Sequence, residues 1–441
     1  MKNTLPIRLM FGALGGLLCT MCAAQQVIPP PVSISLEDAI RRAQSANTAF
    51  AAANADTRIA QSEHGIARSA LLPSVVYHNQ VLYTQGTGRP TTAPIKFIAN
   101  NAVHEYVSQG SVTETIGGIG IAQYKFTEAA AAAAHAHFEV ARRGLVVTVV
   151  ANYYNVFAAD AKLAASQRAL DEANHFSTIT AKRESNGEVA HADSVRSDLQ
   201  VQQRQRELND ARVAADRARL DLGVMLFSDP GTPYTLTTSF DQFPALPSRS
   251  EVEAAAMANN PELKAAMESL RAAQHAVTAA KFALFPDLVL NYSYGIDAPQ
   301  FAVKAPDGSR NLGYSASATL DIPVWDWFAS RSRVHESVVR REQANTELTV
   351  TQRQLIASLK EAYQEAQVSL DQLRLLDKSV QSATESLRLT TDRYSAGEGA
   401  LLEVVDSQNT LVQAETSRAD GVARYFNALA NLQTLTGRMP R

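Results

Sequence analysis

The chain has 441 residues with a formal net charge of −3, and removing the two early basic residues Lys2 and Arg8 would take it to −5. Without a basic excess, the composition argues against a nucleic-acid partner. Both cysteines, Cys19 and Cys22, lie in the first 24 positions, so the remaining chain carries no thiol, needs no disulfide in an oxidising compartment and must be stabilised by packing.

The first segment reads as a secretory signal peptide over residues 1–24. Lys2 and Arg8 precede an uncharged apolar run from Leu9 to Met21, and Cys22 and Ala24 supply the small residues of a cleavage site before Gln25. The run is too short for a membrane span, and no later window reaches the ~20 apolar residues of a membrane helix. A lipid anchor on Cys22 is disfavoured because Thr20-Met21 lacks the small residue expected before it. Residues 25–34, with Pro29-Pro30-Pro31, read as a linker.

Beyond the linker the chain is written twice. Ala70-Leu71-Leu72-Pro73 returns as Ala283-Leu284-Phe285-Pro286, and Arg183-Glu184-Ser185-Asn186-Gly187-Glu188 returns as Arg393-Tyr394-Ser395-Ala396-Gly397-Glu398. The shared offset of about 210 residues is too long for a solenoid unit and indicates a duplicated half, residues 35–240 and 248–441. Ser35-Leu36-Glu37-Asp38 predicts a helix start, from which an alanine-rich helix runs toward Ala70 and ends at Pro73. The second copy starts near Ser248 or Ser250 and ends its helix at Pro286.

After each proline the period changes from helical to two. Leu288, Leu290, Tyr292, Tyr294 and Ile296 share one face, as do Leu312, Tyr314, Ala316, Ala318, Leu320 and Ile322, which predicts a β-hairpin over about 287–324. The first copy is noisier over about 74–126. Val75, Tyr77, Val81 and Tyr83 share a parity, a long loop runs from about Gly86 to Gly110, and Ile119 and Ile121 continue a strand past a bulge at Gly117-Gly118. These segments suit either soluble sandwich strands or membrane-barrel strands. Four strands cannot close a barrel alone, so a barrel requires several copies of the chain.

The longest tracts are helical, at about 127–227 and 327–436. Val149, Val156, Leu163 and Leu170 recur every seven residues, as do Leu359, Ala366, Leu373, Val380, Leu387 and Tyr394. The return helices repeat the interval through Leu199, Val213, Leu220 and Phe227, with Arg206 between the first two, and through Val405, Val412, Ala419 and Phe426. Each tract therefore folds as an antiparallel coiled-coil hairpin, with its tip at Gly187 or Gly397, where glycine accepts the positive φ that ends a helix. The expected object is a rod with strands at one end and helical tips at the other.

These residues resemble the TolC-like outer-membrane efflux proteins over essentially the whole mature chain. The resemblance is carried by the duplicated proline-to-strand boundaries, by Asp321-Ile322-Pro323-Val324-Trp325-Asp326, and most specifically by Arg393-Tyr394-Ser395-Ala396-Gly397 followed by Leu402-Glu403-Val404-Val405-Asp406. It implies an α+β membrane protein: a trimeric 12-stranded outer-membrane β-barrel, four strands per protomer, continuous with a long periplasmic α-helical coiled-coil barrel. It further implies a homotrimer in outer-membrane lipid, partnered by a periplasmic adaptor (membrane fusion protein) and an inner-membrane pump in a Gram-negative cell, with no cofactor.

By the same resemblance Glu403 and Asp406 match the pore constriction, Asp193 and Tyr394 match gate links, and the tips at Gly187 and Gly397 would dock the adaptor. Where the best-known member has an arginine two residues after the tip glycine, this chain has Gly399, so those cross-links are expected to be missing. The spacing alone places Glu403 and Asp406 on one helical face, where an ordinary acidic helix start is the competing reading.

His135 and His137 do not share a helical face, so no metal site is expected there. Trp325 and Trp327 belong either to an interfacial aromatic belt or to plain packing. No HExxH, P-loop, nucleophile elbow or GxGxxG is present, and nothing argues for an enzyme. The expected function is an outer-membrane exit duct. The alternatives are the outer-membrane component of a type I protein secretion system and a structural periplasmic coiled-coil rod.

Overall fold

The computed structural model describes residues 32–83, 104–237 and 243–439. The expected signal peptide and most of the linker lie outside them. In chain order the elements are β1 (Val32–Ile34), α1 (Leu36–Ala46), α2 (Thr48–Ser69), β2 (Ser74–Tyr83), β3 (His104–Ile116), α3 (Gly118–Ser185), α4 (His191–Leu226), β4 (Tyr234–Leu236), α5 (Arg249–Asn259), α6 (Pro261–Phe282), β5 (Asp287–Ala298), β6 (Leu312–Asp321), α7 (Ala329–Ser395) and α8 (Leu401–Leu435).

The helix starts follow local chemistry. The Ser35 hydroxyl accepts from the Asp38 amide, and Ser248 forms a reciprocal capping box with Glu251. The single helix expected up to Ala70 is two. Asn47 leaves helical geometry and its side chain caps α2 through the Phe50 amide at 2.8 Å. Asn260 does the same for α6 through Leu263 at 2.9 Å, with Pro261 in the first turn. The asparagine break is thus part of the duplication, and a polar side chain that satisfies a helix start overrides the alanine-rich background.

β2, β3, β5 and β6 form one antiparallel sheet in that order. Its register aligns Val75, Val112, Tyr292 and Ala316 in one row and Tyr77, Gly110, Tyr294 and Tyr314 in the next, while Val76, Ser111, Ser293 and Ser315 share a row of the opposite parity. One face is therefore rich in apolar side chains across all four strands and the other is mostly polar. Gly110 lies inside β3, not in the expected loop. Ile119 and Ile121 open α3, so the first hairpin ends at Ile116, short of the expected 126. The apolar parity of a strand and one turn of an amphipathic helix look alike over three residues, which explains the error.

α3 has 68 residues and α7 has 67, each about 100 Å long at the α-helical rise. Near the strands, α3 packs on α2 and α6, and α6 packs on α7. Toward the tips, α3 packs on α4 and α8, and α8 packs on α7. The lateral order is therefore α2-α3-α6-α7 in one half and α4-α3-α8-α7 in the other. Among the described residues no helix is long and apolar enough to cross a membrane.

Midway along the rod, β1 pairs in parallel with β4, so residues 32–34 belong to the fold and not to the expected linker. Of these, Ile34 packs in one cluster with Val146, Val149, Val150, Tyr153 and Leu222. The Tyr153 hydroxyl donates to the Ile34 carbonyl at 3.2 Å, and Tyr154 stacks on Phe426 at 4.4 Å. Each fully buried aliphatic side chain here contributes roughly 1.5–3 kcal/mol.

The heptads of α3, α7 and α8 face inward as expected, with Val149, Val156, Leu359, Ala366, Leu373 and Ala419 buried. The heptad expected for α4 does not. Leu199, Val213 and Leu220 are exposed, and the buried seam is Ser194, Ser197, Arg204, Leu208, Ala215 and Leu222. Both faces of α4 carry a repeat, and the more polar one meets α3.

Candidate functional site

The two helical hairpins end in turns of one backbone design. At the first, Gly187 has φ +78°, its amide donates to the Glu184 carbonyl at 2.8 Å, and the Glu188 amide donates to the Arg183 carbonyl at 2.9 Å. At the second, Gly397 has φ +85°, and the corresponding bonds run to Tyr394 and Arg393, each at 3.0 Å. A side chain at either glycine would be strained in the left-handed region. Ala190 and Ala400 then extend into α4 and α8 without a side-chain cap.

A small core joins the tips: Phe176, Tyr394, Leu401 and Val404 are buried together. The Phe176 and Tyr394 rings lie 4.9 Å apart. The Tyr394 hydroxyl is 3.3 Å from the hydroxyl of Thr180, which is fully buried on α3. Tyr394 therefore ties α7 to α3 within the protomer. Asp193 sits half-buried in the first turn of α4, its amide donating to the Ala190 carbonyl.

Two arginines of the duplicated landmark complete the site. The Arg183 guanidinium lies 4.8 Å over the Tyr394 ring, donates to the Tyr394 carbonyl at 2.5 Å and pairs with Glu188 at 3.1 Å. Arg393 pairs with Glu403 at 3.3 Å and donates to the Glu398 carbonyl at 3.4 Å. Glu403 and Asp406 are both exposed, on one side of the first turns of α8. Glu403 is thus half of an ion pair, and Asp406 projects beside it with its carbonyl accepting from the Thr410 hydroxyl.

The tip carboxylates of the first hairpin are also held. The Glu188 carboxyl is lowered below its ordinary range by hydrogen bonds from Asn186 and Arg183. The Glu184 carboxyl is lowered by its contact with His191, 2.7 Å away, and by Ser194. Sequence reasoning used Arg183 and Arg393 only as landmarks of the repeat. Their signal was the recurring arginine five residues before a glutamate across a turn, a spacing that lets a helix-end guanidinium reach back over its own tip.

Gly399 approaches the backbone so closely that an added Cβ would lie 3.0 Å from the Tyr394 nitrogen. Val189 holds the equivalent place in the first tip. Gly399 therefore lets the second tip fold tightly over Tyr394. Far from the tips, α3, α6 and α7 enclose an alanine-lined concavity of about 740 Å³ that includes His137, Arg333 and Arg340.

Residues 254–438 match the family described as outer membrane efflux protein. The pyoverdine export outer membrane protein OpmQ of Pseudomonas aeruginosa is 25% identical over 86% of this chain and 80% of its own length. The chain is thus similar to outer-membrane export proteins over most of its length, and its second half matches the outer membrane efflux protein family. The cobalt-zinc-cadmium resistance protein CzcC of Cupriavidus metallidurans is 20% identical over 92% of this chain and 90% of its own. The crystal structure of the Campylobacter jejuni CmeC outer membrane channel superposes with a TM-score of 0.77 at 16% identity, covering 91% of this chain and 85% of that one. The chain accordingly has a TolC-like fold, mostly helical with a smaller sheet, and is an outer-membrane protein extending into the periplasm.

Proposed function

We propose that the protein is the outer-membrane exit duct of a tripartite efflux system, conducting substrates passively from a periplasmic adaptor and inner-membrane pump to the exterior. The observation that carries this reading is the four-stranded sheet. One of its faces is rich in apolar side chains, its strands of 10 to 13 residues match the length of tilted outer-membrane strands, and both its edges, β2 and β6, are unpaired among the described residues.

A homotrimer closes those edges. Three copies of the sheet supply twelve strands, and in the helical half α2 and α4 of one copy would meet α7 of the next. The exposed repeats support this pairing: Leu199, Val213 and Leu220 on α4, and Val368, Leu375 and Leu389 on α7, run at intervals of seven or fourteen along the two outer edges. The same threefold arrangement gathers Glu403 and Asp406 into a constriction at the tips, where Arg393 offsets part of the charge. Asp193 and Tyr394 act beside it as gate links, Tyr394 through Thr180, and the turns at Gly187 and Gly397 dock the adaptor.

Membrane fractionation tests the duct. The mature chain partitions with outer membranes and needs detergent for release; recovery in a detergent-free periplasmic extract would refute the reading. In planar bilayers, Glu403→Ala with Asp406→Ala raises conductance and weakens cation preference, and an unchanged channel would place the constriction elsewhere. Bulky charged replacements near Gly187 or Gly397 abolish adaptor binding while leaving the trimer assembled.

A further inference from the structure

Residues 299–311 join β5 to β6 at the end of the sheet farthest from the helices, and this loop is itself a small hairpin. Lys304 and Arg310 face each other in it as an antiparallel bridge. The Ala305 amide donates to the Ser309 carbonyl at 2.9 Å and the Asn311 amide to the Val303 carbonyl at 3.0 Å, while Gly308 turns the chain at φ +84°. Directly opposed residues of such a pair hold their Cβ atoms about 5 Å apart on one side of the ribbon, and like charges placed so repel. Among the described residues neither charged head has a protein acceptor. The loop's one carboxylate, Asp307, is committed to Ser309, accepting from its amide at 2.9 Å and its hydroxyl at 2.7 Å. Two exposed cations are therefore held side by side without a counter-charge from the described chain.

We infer that the Lys304–Arg310 pair is a binding site for the phosphates of lipopolysaccharide, the phosphorylated glycolipid of the outer leaflet. The inference rests on the outer-membrane reading above, which puts this end of the sheet outside the cell. Three observations favour a lipid phosphate as the occupant. The loop leaves the sheet on its apolar side: the Phe301 ring lies 6.4 Å from that of Tyr106, and Tyr106 shares the strand parity of Val112, on the apolar face. Phe301 and Val303 are themselves exposed, at 67% and 54%, and Lys304 follows Phe301 by three residues, at most about 10 Å of chain. Apolar side chains below and cations above match a lipid whose phosphates sit just over its acyl chains. The acidic residues at the same end of the sheet, Glu105 and Asp297, have the opposite parity and belong to the polar face. The two heads are also complementary, since a guanidinium forks onto two phosphate oxygens and an ammonium adds a point charge. A phosphate between them turns a repulsive pair into a bridged one.

Native mass spectrometry of the full-length protein, purified from outer membranes in detergent, tests the site with bisphosphorylated lipid A as the probe and fully dephosphorylated lipid A as the control. The wild type is expected to retain the bisphosphorylated form, up to one per subunit, and to release the control. Each cation lost should weaken retention about fivefold, so Lys304→Gln with Arg310→Gln should weaken it about thirtyfold. Lys304→Arg with Arg310→Lys exchanges the two heads and should still bind. Equal retention of the dephosphorylated lipid by the wild type overturns the phosphate site without any variant having to fold, and so does unchanged binding in the double glutamine variant. Displacement of the lipid by millimolar inorganic phosphate assigns the pair to a free anion and overturns the lipid as its occupant. All these outcomes are read on protein that fractionates with membranes and leave the duct standing. Recovery of the chain in a detergent-free periplasmic extract removes both.

Discussion

α3 and α7 are the corresponding helices of the two halves and differ by one residue in length, yet 18 residues of α3 are buried against 8 of α7. The difference comes from position. α3 has neighbours on both sides along its whole length, whereas α7 forms one edge of the protomer. Duplication supplied two equal rods, and packing made one a keel and the other a margin whose apolar residues Val368, Leu375 and Leu389 stay uncovered. Electrostatics follows the same division. Asp160 on α3 has its carboxyl raised because burial outweighs the nearby Arg219, while Glu365 on α7 has its carboxyl lowered by hydrogen bonding to Arg424.

The contrast breaks most visibly at the keel. Tyr153→Ala removes a fully buried ring and its bond to Ile34, so a loss of about 3–5 kcal/mol is expected, read as a lower thermal transition and less folded protein. At the margin, Leu375→Asp should leave helicity unchanged but weaken assembly about tenfold, a change of about 1.4 kcal/mol, measured by native mass spectrometry. Leu220→Asp on the opposite edge should match it, and wild-type assembly in either variant would show that these edges do not meet.

The tips sharpen the comparison further. Arg183 is mostly buried over Tyr394 and Arg393 is more exposed beside Glu403. Arg183→Ala should therefore speed amide exchange after Tyr394 by about tenfold, with Arg183→Lys restoring little because the planar guanidinium is lost. Arg393→Ala should change exchange by less than about threefold, as expected for an exposed pair.

The smallest effect is in acid. Because the folded Glu365 carboxyl is lowered, its stabilisation is present above the ordinary carboxylate range and is lost as pH falls through the folded value. Glu365→Gln should be less stable by under about 1 kcal/mol at neutral pH, given its exposure, and the two curves should converge in acid. Asp160→Asn should show the opposite sign, since a raised carboxyl is penalised while ionised and relieved as pH falls. Parallel pH curves for the two variants would erase the keel-to-margin contrast.

Much of this was legible in the residues. Proline punctuation, period-two strands, seven-residue repeats and the paired tip glycines each report a local rule, and the duplication made every rule visible twice. Three features were not. β1 and β4 are three residues each, too short for a periodic signal, and exist because Tyr153 and Leu222 give them a floor. α4 carries apolar residues on two faces, so the pattern alone could not choose between the partner within the protomer and the margin. At the tips, Glu403 and Tyr394 were readable as candidates, but their partners Arg393 and Thr180 depend on how a turn folds back and how two helices cross.

In the proposed trimer, the edge strands β2 and β6, unpaired among the described residues, would also determine when a protomer can leave water. Each presents a ten-residue edge whose outward amides and carbonyls water can satisfy and hydrocarbon cannot. A lone sheet entering the bilayer would strip those groups of every partner at once. If three copies close the barrel as proposed, subunit capture would therefore precede or accompany insertion, and unspent hydrogen bonds would dictate the order of biogenesis.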